Sequence, residues 1–208
     1  MAIDSYSTLQ TAVTNWLDRS DLTDRVPEFI TLGEARIARR LRVRGVETRD
    51  TSITLTGSEY YTLPTDFLEA RRIKVNSSPV RVLKYLTPTQ LSTKFPSGTT
   101  GSAGYYTIIG EEIQIKPVQS GSSVLEITYF KRLPALSDSN TTNWLTANAP
   151  DLLLYGSLIE AEAYLVDDPR IPIWKGAFDE SMAEWNKQED KGRFSGSHLE
   201  ARVAGGTP

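Results

Sequence analysis

The sequence predicts an α+β fold: a four-helix bundle formed by N- and C-terminal helix pairs, an inserted antiparallel β module (a sandwich or small barrel), and an extended C-terminal tail. Three observations predict it. Apolar residues recur at helical spacing near both ends of the chain, alternate at strand spacing in the middle, and thin out beyond Lys191. The expected organisation is a discontinuous helical domain over 1–49 and 134–190, a β domain over 50–133, and a flexible tail over 191–208.

In the first helix Leu9, Val13, Trp16 and Leu17 share one face. Ser20 and Asp21 offer polar caps before a longer second helix with the stripe Val26, Phe29, Ile30, Gly33, Ile37 and Leu41. Pro27 is tolerable only in a first turn, so this helix begins between Leu22 and Val26, and Gly45 is a natural stop.

Beyond residue 50 the period changes. Ser52–Leu55 and Tyr60–Leu63 alternate around Gly57-Ser58, predicting a hairpin, and Arg72–Val75 with Val80–Leu83 around Asn76–Pro79 predict a second. Tyr105–Ile109, Ile113–Ile115 and Val124–Tyr129 supply further strands, the first two joined at Gly110-Glu111-Glu112. The segment from Pro96 to Gly104 is too small and polar for a core and reads as an exposed loop. Pro150 and Asp151 open a third helix through Leu165, which Asp167-Asp168-Pro169 breaks. A last helix spans about Ile171 to Lys187, with Trp174, Phe178, Met182 and Trp185 on one side as core.

Composition removes most catalytic chemistries. The chain of 208 residues has no cysteine and a single histidine, His198, which excludes thiolate chemistry and argues against a histidine triad or multi-histidine metal site. There is no phosphate loop, dinucleotide fingerprint or nucleophile elbow. The N-terminus lacks the basic and apolar regions of a signal peptide, and the apolar runs are far short of a membrane span, so the expectation is a soluble, intracellular type of protein without cofactors.

The net charge of −3 conceals a segregation. Residues 34–49 hold six arginines (Arg36, Arg39, Arg40, Arg42, Arg44 and Arg49) against Glu34 and Glu47, whereas residues 151–190 hold ten acids against Arg170, Lys175 and Lys187. The basic cluster suits a protein interface better than phosphate, since no aromatic stacking platform accompanies it. Glu160 with Asp167 or Asp168 could form a carboxylate pair, but a helix-ending turn accounts better for those aspartates.

Leu22–Arg42, Tyr61–Glu69, Asn148–Ala161, Trp174–Glu189 and Arg193–Gly196 together resemble phage head-to-tail adaptor proteins of short-tailed phages. The resemblance implies a non-enzymatic virion protein that resides in the host cytoplasm before assembly and then at the portal–tail junction. It implies a twelve-fold ring of copies under the portal protein that extends the channel, through which double-stranded DNA passes without specific binding. The ring would carry the tail nozzle protein and tail fibres, with no membrane partner. Arg36, Arg39, Arg40, Arg42 and Arg44 are then candidates for the subunit or portal interface, and Arg193, Phe194 and His198 for anchors of a tail lying along the portal. Opposite charges on the two helical halves would supply the two different surfaces that a ring contact requires. A DNA-binding accessory protein using the Arg-rich helix is the alternative, and a carbohydrate-binding or hydrolytic tail component a more distant one.

Overall fold

The computed structural model describes residues 2–96, 98–165 and 168–194. In chain order the elements are α1 (Tyr6–Leu17), α2 (Val26–Arg40), β1 (Glu47–Asp50), β2 (Thr54–Leu55), β3 (Tyr60–Thr62), β4 (Phe67–Asn76), β5 (Arg81–Val82), β6 (Lys84–Tyr85), α3 (Pro88–Lys94), β7 (Thr100–Gly101), β8 (Tyr105–Ile109), β9 (Glu112–Lys116), β10 (Val118–Gln119), β11 (Ser123–Lys131), α4 (Trp144–Asn148), α5 (Pro150–Glu160) and α6 (Ile171–Phe194). The architecture is mixed α+β, and no barrel closes. Two compact units divide the chain: residues 1–45 with 133–208, and residues 46–132.

In the helical unit α5 is the hub. Seven of its eleven residues are buried (Leu152, Leu153, Leu154, Gly156, Ser157, Leu158 and Ile159), because α1, α2 and α6 all pack on it. The crossing with α2 is close enough to exclude side chains: a Cβ on Gly33 would lie 2.9 Å from the Ser157 nitrogen. Ser157 is buried there without cost to hydrogen bonding, since its Oγ donates to the Leu153 carbonyl at 2.7 Å. Trp174, Phe178 and Met182 fill the core as expected, while Trp185 is half-buried edge-on against Trp144.

Several helix ends differ from expectation. The α2 helix stops at Arg40, where Leu41 turns extended, and not at Gly45. Gly45 serves clearance instead, since a Cβ there would overlap the Trp144 indole at 2.1 Å. Ser20 opens a 3₁₀ turn (Ser20–Arg25) leading into α2, so it caps no α-helix. The helix expected through Leu165 ends at Glu160 and continues as a 3₁₀ turn (Ala161–Tyr164). The last helix runs to Phe194, so the expected tail boundary at 191 falls inside α6.

In the second unit, β1, β11, β4 and β5 form an antiparallel sheet in that order, with β2 also pairing β11; a second sheet has the order β3-β9-β8-β6. Leu55, Ile73, Val75, Ile113, Ile115, Leu125 and Ile127 form the core beneath them. The β4–β5 and β8–β9 hairpins form as expected. The predicted hairpin across Gly57-Ser58 does not: β2 joins β11 while β3 joins β9, so this segment crosses from one sheet to the other. Nor is the module wholly antiparallel, since β6 pairs β8 and β7 pairs β10 in parallel. The loop from Pro96 to Gly104 is partly structural, with β7 inside it and Ala103 buried in the core.

Candidate functional site

The arginines singled out from the sequence lie on α2 and the segment after it, where the chain leaves the helical unit. Most of them turn inward to their own chain. Arg36 Nε donates to Glu160 Oε1 at 2.6 Å, with both side chains partly sheltered. Arg40 Nη1 donates to Asp179 Oδ1 at 2.7 Å and its guanidinium lies over the Phe178 ring. Arg42 Nη1 donates to the carbonyls of Ala38 and Leu41, each at 2.9 Å, satisfying acceptors that the end of α2 would otherwise leave open. Arg44 Nε approaches Glu189 Oε1 at 3.1 Å. Thus α2 is tied to the end of α5 and to α6 by charges that the sequence had suggested for contacts between copies. Arg39 is different: it is exposed and has no ion pair among the described residues.

Arg193 and Phe194 end α6 in the backbone, but their side chains, and the whole of His198, lie outside the described residues. Asp167 lies outside them too. Of the carboxylates considered for chemistry, Glu160 is engaged by Arg36, and Asp168 accepts from the Arg170 backbone at 2.9 Å and side chain at 2.7 Å. The Arg170 hydrogen bonds hold the Asp168 carboxyl below its usual value. Arg170 also donates to the carbonyls of Trp16 and Leu17, at 2.9 and 3.2 Å, closing the end of α1. Among the described residues no group of three His, Asp or Glu side chains is placed to hold a metal ion, and no helix is long and apolar enough to cross a membrane.

Two polar centres escaped the sequence reading. Glu34 accepts from the Leu136 amide at 3.1 Å and the Asn143 side chain at 3.0 Å, fixing the returning segment against α2. Burial raises its pKa against those two donors. Asn143 also caps α4, its Oδ1 accepting from the Leu145 and Thr146 amides. In the β unit Glu126 is only 6% exposed and accepts from Arg49 at 2.6 Å, Lys74 at 2.9 Å and Asn76 at 3.3 Å. The hydrogen bonds from Arg49 and then Lys74 pull its pKa down to about 2. Its signal was a lone acid within the alternating run Leu125–Tyr129, opposite Lys74 in register. These centres join elements distant in sequence, and such groups are structural before they are chemical.

No curated protein matches this chain. The model of the SU10 adaptor protein family matches residues 4–201, through both units and nearly end to end. The chain belongs to the SU10 adaptor protein family and is a phage head-tail adaptor, a structural component of the virion.

Proposed function

We propose that the protein docks beneath the portal of a short-tailed phage as a ring, twelve-fold like the adaptors it resembles, and there extends the DNA channel and carries the tail nozzle and fibres. The observation that carries this reading is the family match over residues 4–201. The helical unit supports it as a rigid body, held by the Gly33 crossing and by ion pairs between α2 and its neighbours. The end of α6 and the segment beyond it would bind the portal, with Arg193, Phe194 and His198 as anchors. The competing reading, DNA binding through the Arg-rich helix, gains little from α2 and the segment after it, where Arg36, Arg40 and Arg44 each face a carboxylate.

Truncation tests the proposal, and the end of α6 says where to cut. Removing residues 195–208 leaves the described helix whole, and combining the cut with Arg193→Ala and Phe194→Ala takes away all three anchors. The full chain should co-sediment with assembled portal protein, and the truncated chain should lose that attachment while keeping its circular dichroism and melting profile. Normal attachment of the truncated chain would refute the role of the tail. Failure of the full chain to attach, combined with steep salt-dependent binding to duplex DNA, would favour the competing reading.

A further inference from the structure

The outward side of α2 carries Leu32, Ala35 and Arg39, spaced so that they share one helical face. Leu32 is 45% exposed, and Ala35 and Arg39 are exposed beside it. The outward side of α6 repeats this order with the opposite charge: Ile173, Gly176 and Glu180 at the same spacing, with Glu184 one turn on. Ile173 is 68% exposed. Once the ion pairs within the chain are counted, Arg39, Glu180 and Glu184 remain without partners among the described residues.

Gly176 adds an independent indication. An exposed glycine inside a helix costs about 1 kcal/mol relative to alanine. Nothing among the described residues requires it, since a Cβ there would meet none of their atoms within 4 Å. A glycine without internal cause, next to a bare isoleucine, suits the close approach of a second backbone.

We infer that these two faces pair between neighbouring copies of this chain, in parallel and in register. Leu32 then meets Ile173, Ala35 meets Gly176, and Arg39 meets Glu180 with Glu184 beyond it. The opposite direction would set Leu32 against Glu180 and Arg39 against Ile173, so complementarity selects the parallel arrangement. Because the faces differ, each copy keeps one free and the contact propagates head to tail. It is far smaller than the roughly 20–30 residues a side of a stable interface, so copies meet through it strongly only at high local concentration. This inference rests on the ring-forming adaptor reading and supplies that ring with a specific contact.

The absence of cysteine makes the test direct. Ala35→Cys and Gly176→Cys would place two thiols where the faces meet, at exposed positions that leave the fold intact by circular dichroism. Oxidised at high concentration, the double variant should give a ladder of disulfide-linked oligomers on a non-reducing gel. A mixture of the two single variants should stop at dimers, and each alone should stay monomeric. Adding Arg39→Glu should suppress the ladder about tenfold, and Glu180→Arg with Glu184→Arg should restore it. A double variant that stays monomeric, or dimers from Ala35→Cys alone, would overturn the pairing. Rings of the unaltered chain on the portal without a ladder would refute the pairing and leave the adaptor reading intact. A ladder without portal attachment would do the reverse.

Discussion

Gly33 and Gly176 are both helical glycines, yet their surroundings give them opposite energetics. A methyl group on Gly33 would press into the backbone of α5 at 2.9 Å, and backbone cannot give way as a flexible side chain can. Gly33→Ala should therefore lower stability by about 1–3 kcal/mol through overpacking. Gly176→Ala meets open space and should raise the stability of the isolated chain by about 0.5–1 kcal/mol. Thermal unfolding followed by helical circular dichroism checks both; equal effects would contradict this account of the crossing. Glu126 provides a test by pH. Its pKa falls from 4.5 to about 2 on folding, so its contribution is complete above about pH 4.5 and is lost as the pH falls through about 2. Urea midpoints measured across that window should drop more steeply for the unaltered chain than for Glu126→Gln, and parallel curves would exclude the Arg49–Glu126–Lys74 cluster as a source of acid sensitivity.

At the scale of elements, the charged pairs between helices decide how interface mutations must be read. Arg36→Glu should cost about 1–3 kcal/mol by setting two acids together in a partly sheltered place, and adding Glu160→Arg should recover most of it. If the single reversal leaves the melting profile unchanged, the pair contributes nothing. A reversal at Arg36 or Arg40 that abolishes assembly therefore reports on the fold first, whereas Arg39 reports on the surface. The helices were legible because a period of three to four residues depends on local spacing, and Phe29, Ile30 and Ile37 are buried as that spacing requires. Strand partners were less legible. Alternation marks Thr54-Leu55 and Tyr60–Thr62 as strands, but their partners, β11 and β9, lie far along the chain. The small α3 helix carries a readable local signal: Thr87 and Gln90 form a capping box, with Pro88 in the first turn.

At the scale of the molecule, the segregated charge was legible but its use was not. Counting along the chain separates basic from acidic stretches, and only the fold shows that Glu160, Asp179 and Glu189 come back to Arg36, Arg40 and Arg44. Among the described residues, what remains of that charge for other molecules includes Arg39 on one helix and Glu180 with Glu184 on another. A chain whose strong charges are spent internally and whose free faces are weak and unlike is suited to assemble on a template. The mass of the unaltered chain in solution, alone and mixed with assembled portal protein, tests this most directly. The account predicts monomers alone and, with portal present, a single complex of uniform mass carrying a closed ring of copies. Monomers that persist beside unbound portal would contradict it.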